Sequence, residues 1–368
     1  MQPVTSGSEM RSGPPPLAHS IVEVIGNTPL VELHRLVAAA GVEGRILAKL
    51  EHLQPGLSKK SRVALEMVLD AREAGHLADG QTVVELTSGN TGTGLAIVCR
   101  ALGHPFVAVM SAGNTMERAR MMQALGAEVV LVAQAPGSPP GQVSGADLDL
   151  VEQRTVALVA ERAAFRADQF RLPASALAHE RNTAPELWRQ SSGSVDVFCD
   201  FVGTGSSYGG IMRWFAEHAP HVRGYVVEPA GAAVLAGRAV DRPNHRIQGG
   251  GYSRPALPLL DGAPVHGHLE VTDGEAMDAA RLLAAEEGIF GGFSAGANVA
   301  AALQLLRTEA VGATVAVLVC DSGLKYLSTD LYPAQGLLAP PPPVRDRATR
   351  PRPYSRSSCP RSAGRWRW

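Results

Sequence analysis

The sequence predicts an α/β protein built as two three-layer domains, each with a mostly parallel sheet between helices. Three observations predict it. Short, mostly Val-rich apolar runs alternate with helical patterns along the middle of the chain, as strands buried on both faces and their covering helices do. Glycine-rich segments stand where a strand ends and a helix begins, the end of an open α/β sheet at which ligands bind. The chain has 368 residues, 45% of them hydrophobic, which allows a sizeable core and fits two domains better than one.

In chain order, the strands are expected at Arg45–Leu50, Thr82–Leu86, Phe106–Met110, Glu128–Val132, Val195–Phe201, Arg223–Glu228 and Thr314–Cys320. Helical periodicity places helices at Ser61–Ala74, Gly92–Ala101, Met116–Leu125, Gly209–Glu217, Glu275–Glu287 and Ala297–Arg307. The stretch 133–143, with its Gly and Pro, reads as a loop. The Ser/Gly/Pro-rich start, 1–18, and the segment 333–368, rich in Pro and Arg and poor in aliphatic residues, are expected to be disordered, because neither buries enough apolar surface to offset the entropy of ordering.

A net charge of −1 with 19% charged residues does not point to nucleic acid or a membrane surface as the partner of the whole chain. The arginine-rich end reads as a solvated segment or as a contact for nucleic acid or acidic lipid. No run is long and apolar enough to span a bilayer, and the polar start does not resemble a secretory signal. Cys99, Cys199, Cys320 and Cys359 form no CxxC pair, so neither a zinc site nor a disulfide framework is indicated. Buried free thiols and a reducing, cytoplasmic setting are expected.

Three glycine-rich turns carry the chemistry. Thr87-Ser88-Gly89-Asn90-Thr91-Gly92 suits an anion at a helix N-terminus, and equally suits an ordinary capped turn. Gly203-Thr204-Gly205-Ser206-Ser207 can ring a small phosphate with backbone N–H groups and hydroxyls. It lacks the spacing of an ATP loop or a dinucleotide fingerprint. Gly291-Gly292-Phe293-Ser294-Ala295-Gly296-Ala297 allows close approach to something flat, or tight helix packing. Upstream, Gln54-Pro55-Gly56-Leu57-Ser58-Lys59-Lys60-Ser61-Arg62 opens a helix. A lysine there is either an ordinary solvated lysine in a basic run, or one that the positive end of the helix dipole repels and that burial turns into a neutral amine able to form a Schiff base.

Together these segments resemble, in order and spacing, the cysteine synthase and cystathionine β-synthase family, the fold-type II pyridoxal-phosphate enzymes. Ile25-Gly26-Asn27-Thr28-Pro29-Leu30-Val31 is similar to that family's opening signature. The lysine segment resembles its N-P-x-x-S-x-K-D-R motif and selects Lys60 over Lys59. Thr87–Gly92 matches its T-S-G-N-T-G loop, Gly203–Ser207 its phosphate cup, and Glu117–Val132, with Arg118, and Asp321–Ser328 two further stretches. The resemblance covers about Ile21 to Tyr332.

It implies a tryptophan-synthase-β-like fold, with a smaller domain over 43–150 and a larger one from 19–42 and 151–332. It implies that pyridoxal 5'-phosphate is held by Lys60, by Asn90, by Gly203, Thr204, Gly205, Ser206 and Ser207 at the phosphate, and by Ser294 at the pyridine nitrogen. Thr87, Ser88, Asn90, Thr91 and Gln169 would take the substrate carboxylate. The implied reaction is β-replacement on O-acetylserine or O-phosphoserine with sulfide, giving cysteine through an aminoacrylate. The implied partners are a small amino acid, a small nucleophile and a second copy in a homodimer. Cysteine desulfhydration, an amine nucleophile as in diaminopropionate formation, serine plus homocysteine, and a catalytically weak binding homologue are the rivals. The sequence departs from the motif at Gln54 and Ser61, where the family has Asn and Asp, and at Ser206-Ser207 in the cup. Gly249-Gly250-Gly251-Tyr252 follows a loop similar to the family's substrate-side I-Q-G-I-G.

Overall fold

The computed structural model describes residues 17–333, except Ser88, Thr115, 139–142 and Ser144. The expectations for the first residues and for the tail lie almost wholly outside the described residues. The strands run β1 Leu30–Glu32, β2 Arg45–Lys49, β3 Val83–Leu86, β4 Phe106–Ser111, β5 Glu128–Val132, β6 Phe165–Arg166, β7 Val197–Phe201, β8 Arg223–Pro229, β9 Gly267–Val271 and β10 Thr314–Leu318. The helices are α1 His34–Ala40, α2 Lys60–Glu73, α3 Asn90–Leu102, α4 Met116–Ala124, α5 Gly145–Glu161, α6 Ala174–Ala178, α7 Ala184–Gln190, α8 Ser206–His218, α9 Asp273–Glu287 and α10 Phe293–Arg307.

Two sheets result. The larger has the order β1-β2-β10-β7-β8-β9 and the smaller β5-β4-β3-β6. Every pairing is parallel except β1 against β2. Side chains alternate across each strand, so one apolar strand feeds two cores. Ile46, Ala48, Val197, Cys199, Val315 and Val317 face α1, α9 and α10. Their neighbours Leu47, Phe198, Ala316 and Leu318 face α7 and α8. In the smaller sheet Val83, Phe106 and Ala108 meet α2, α3 and α4, while Val84, Val107 and Val109 meet α5. This is the three-layer α/β architecture that the alternating runs predict.

The domain limits need correction. Strand β2, placed by the sequence in the 43–150 segment, pairs with β1 and β10 inside the larger sheet; its residues are apolar on both faces, as a central strand requires. Conversely α5 and β6 reach to Arg166 and belong with the smaller sheet. The third glycine-rich segment is also corrected. It follows α9, and Gly291 makes only an isolated bridge, to Ser322. Cys99, Cys199 and Cys320 are buried free thiols. Among the described residues no helix is long and apolar enough to cross a membrane.

Candidate active site

Lys60 is the first residue of α2. The turn before it is stitched to the chain that leaves β10. Lys59 N–H donates to the Cys320 carbonyl at 2.8 Å and Ser322 N–H to the Leu57 carbonyl at 3.1 Å, and Ser58 bridges Asp321. Helix α3 comes against the same turn because residue 94 is glycine: a Cβ there would stand 2.8 Å from the Lys60 carbonyl oxygen. Ser61 Oγ accepts from Gly56 N–H at 3.0 Å, so the serine supplies an oxygen acceptor where the family motif has a carboxylate. Gln54 does likewise for the family's Asn, accepting from Gly26 N–H at 3.0 Å.

Arg62 anchors α2 from below. It donates to Glu51 at 2.8 and 2.9 Å and to Glu186 at 2.7 Å through each terminal nitrogen. Lys49 also reaches Glu186, at 2.6 Å. The opening signature closes this network: Thr28 Oγ1 donates to Glu51 at 2.7 Å and Asn27 N–H to Glu186 at 3.0 Å. Those motif residues therefore hold the lysine's helix in place.

Among the described residues Lys60 Nζ has no hydrogen-bond or ion-pair partner. Burial, and after it the neighbouring Lys59 ammonium, push its pKa down to about 8. Lys59 behaves oppositely. Burial disfavours its charge, but the Asp200 carboxylate outweighs burial and holds the pKa above the ordinary lysine value. Lys59 Nζ lies 3.0 Å from Asp200 Oδ2 and 2.7 Å from Ser207 Oγ. Asp200 is fully buried on β7 and also accepts from Asn298 Nδ2 at 3.1 Å.

Six of the residues singled out in the sequence line one pocket: Lys60, Thr87, Asn90, Thr91, Gln169 and Thr204. Arg118, Gly249, Tyr252 and Tyr326 complete it. Asn90 Nδ2 donates to Asp321 at 2.7 Å, and its Oδ1 accepts from Lys325 at 2.5 Å. Thr91 Oγ1 donates to Gln169 at 2.5 Å, whose Nε2 donates to the Leu86 carbonyl at 3.3 Å. Thr87 Oγ1 accepts from Gly89 and Gly92 N–H at 3.2 and 2.9 Å and so caps α3. Ser88 lies outside the described residues.

The cup is the start of α8, with Gly203, Thr204 and Gly205 before it and Ser206 and Ser207 as its first residues. The leading N–H groups of a helix have no intrahelical acceptor, which suits a phosphate. Gly203 is needed: a Cβ would stand 2.5 Å from the Gly249 carbonyl oxygen. One hydroxyl is used otherwise than expected. Ser207 Oγ donates to Asp200 in a short hydrogen bond and accepts from Lys59, because a buried carboxylate needs donors. Thr204 Oγ1 donates to Ser206 Oγ at 3.0 Å. Ser294 is buried on the first turn of α10 and does not line the pocket.

The residues present fit pyridoxal phosphate. The lone amine of Lys60, the helix N-terminus with its glycines, and the buried oxygens Ser58 Oγ and Asp321 Oδ1, which lack partners, are a donor and acceptor set of the kind that the cofactor's aldehyde, phosphate and ring call for. Lys59, Asp200 and Lys325 were not singled out by sequence. Asp200 carried a signal, as a lone acid inside the apolar run Val197–Phe201, which demands a buried cation.

Lys60 reacts as the neutral amine. Its apo-form should therefore capture pyridoxal phosphate at a rate that rises with pH to a plateau above about 9 and falls about tenfold per unit well below 8. Stopped-flow absorbance measures this. Lys59→Met should move the midpoint upward, since it removes a neighbouring positive charge; an unmoved midpoint would rule out that coupling.

Residues 21–321 match a family model described as pyridoxal-phosphate dependent enzyme. Cysteine synthase 3 of Caenorhabditis elegans is 39% identical over 313 residues, covering 84% of this chain and 88% of that protein. O-ureido-L-serine synthase of Streptomyces lavendulae is 38% identical over 320 residues, covering 86% and 93%. A crystal structure of O-ureido-L-serine synthase superposes with a TM-score of 0.77 at 35% identity, covering 89% of this chain and 98% of that one.

Proposed function

Because the chain belongs to the pyridoxal-phosphate dependent enzymes of the cysteine synthase type, we propose that its β-replacement reaction turns O-acetylserine or O-phosphoserine and sulfide into cysteine. One observation carries this reading: Lys60 shares a single pocket with Thr87, Asn90, Thr91 and Gln169.

The bound cofactor supplies an electron sink conjugated to the substrate's Cα. Lys60 holds it and, as an amine whose pKa is lowered to about 8, takes the proton from Cα. The N-terminus of α3, with Asn90 and Thr91, orients the substrate carboxylate. Gln169 fixes Thr91 through their 2.5 Å hydrogen bond. Gly203, Thr204, Gly205 and Ser206 hold the phosphate. The ammonium of Lys59, anchored on Asp200, keeps a second positive charge near both the cup and Lys60.

Mixing holoenzyme with O-acetylserine, O-phosphoserine, serine or cysteine, each with and without sulfide, tests the proposal. Cysteine should form from an O-substituted serine plus sulfide. Release of sulfide from cysteine as the fastest reaction would replace this reading by a desulfhydrase. No response to any amino acid would favour a binding protein.

A further inference from the structure

Asn90 opens α3 and lines the pocket together with Lys60. Its side-chain amide is held from both ends by the segment that follows β10. Lys325 Nζ donates to Asn90 Oδ1 at 2.5 Å and to the Gly56 carbonyl at 2.9 Å. Asp321 Oδ2 accepts from Asn90 Nδ2 at 2.7 Å and from Tyr326 Oη at 2.6 Å. The two ends of an amide are alike in shape, so its partners decide which way it faces. Burial lowers the pKa of Lys325 to about 8, with Asp321 opposing the fall and Arg118 adding to it. At pH 7 the side chain is therefore mostly an ammonium, with three donors and no acceptor. A flipped amide would set its NH2 against that ammonium and its oxygen against the Asp321 oxygen, breaking both hydrogen bonds at once. Gly56 lies in the turn that leads into Lys60, so the same ammonium ties Asn90 to that turn.

The clamp leaves one group of the amide over. An NH2 carries two hydrogens and Asp321 takes one; the second has no partner among the described residues. The neighbouring hydroxyl of Thr91 is committed, its proton given to Gln169. We propose that Lys325 is a positioning residue: with Asp321 it locks the Asn90 amide so that an N–H, and never the carbonyl, is offered to an oxyanion beside Lys60. Two oxyanions answer that description, the cofactor's ring oxygen, ortho to the carbon that Lys60 attaches, and the carboxylate of the amino acid. A donor aimed at either favours its charged form. A lysine that merely satisfied the Gly56 carbonyl would make no difference to them. This assignment rests on Lys60 as the point of cofactor attachment, and not on which amino acid reacts.

The test compares wild-type holoenzyme with Lys325→Met and Lys325→Arg, each also in an Asn90→Ala background. Two readouts separate the two oxyanions. Absorbance at pH 7 without substrate gives the ratio of the long-wavelength band, from cofactor with a deprotonated ring oxygen, to the short-wavelength band. Spectral titration with L-alanine and with L-alaninamide gives the preference for a carboxylate. Lys325→Met should lower one of these two values about tenfold, as for one hydrogen bond to a charged group, and the value that falls names the oxyanion. Lys325→Arg, a donor without an acceptor like lysine, should keep both; an arginine variant as perturbed as the methionine one would count against the assignment. With Asn90→Ala in place, Lys325→Met should have no further effect. A folded Lys325→Met variant with both values unchanged would overturn the proposal, and so would an effect that persists undiminished in Asn90→Ala. If Lys325→Met does not fold, Lys325→Gln, whose amide accepts as well as donates, takes its place under the same two criteria. Borohydride reduction and peptide mapping separate the two failures: cofactor attached away from Lys60 sinks the attachment reading and this one with it, whereas attachment at Lys60 with both values unchanged sinks this one alone.

Discussion

Replacing Lys60 by alanine should remove covalent cofactor attachment and lower turnover by on the order of 10³-fold or more, since it deletes both the anchoring amine and the base. Borohydride reduction followed by peptide mapping reads the attachment directly: wild type carries a pyridoxyl group at residue 60 and the variant carries none. The fold should survive. Lys60 Nζ makes no hydrogen bond or ion pair among the described residues, and removing a buried amine with a depressed pKa removes a desolvation cost. A pyridoxyl adduct that moved to Lys59 with activity retained would refute the assignment. The geometry opposes that outcome, because Lys59 is held as an ammonium by Asp200 at 3.0 Å.

The second large effect is on stability. Arg62→Met should cost about 3–5 kcal/mol, the usual range for removing one partner of a buried ion pair. It leaves Glu51 and Glu186 buried with Lys49 as the one remaining cation of the network. Burial alone would raise the pKa of both acids, and Arg62 reverses this, so both lie below the ordinary carboxylate value. Their contribution is present in full above the unfolded carboxylate pKa and is lost as pH falls through the lower folded values. Urea denaturation gives the cost. Adding Glu186→Gln to Arg62→Met should recover part of it; a single-variant loss below about 1 kcal/mol would contradict the network.

Much of this was legible in the residues. The seven strands read from apolar runs all occur, with ends that differ by at most two residues. The strands that escaped notice, β1, β6 and β9, are short or interrupted by polar residues: Leu30–Glu32, Phe165–Arg166 and Gly267–Val271. Helices α3, α8 and α10 begin two to four residues earlier than their apolar pattern, because the glycine-rich turns are themselves the first helical turns. Within the site, the motif spacing led to Lys60, Asn90, Thr91 and Gln169. It did not lead to Asp200 or Lys325, whose partners Lys59 and Asn90 are 141 and 235 residues away; such pairings are set by topology and leave no local pattern.

The stitching of the lysine turn to the segment after β10 has a consequence for how the protein is made. Lys325 donates to the carbonyl of Gly56 across 269 residues of chain. On a ribosome adding about 5–20 residues per second, Lys60 emerges roughly 15–50 seconds before the strand end that completes its surroundings. A nascent chain therefore exposes a lysine that has not yet been desolvated or placed beside the finished cup. The surroundings of Lys60 are therefore complete only once the chain has been made through Lys325.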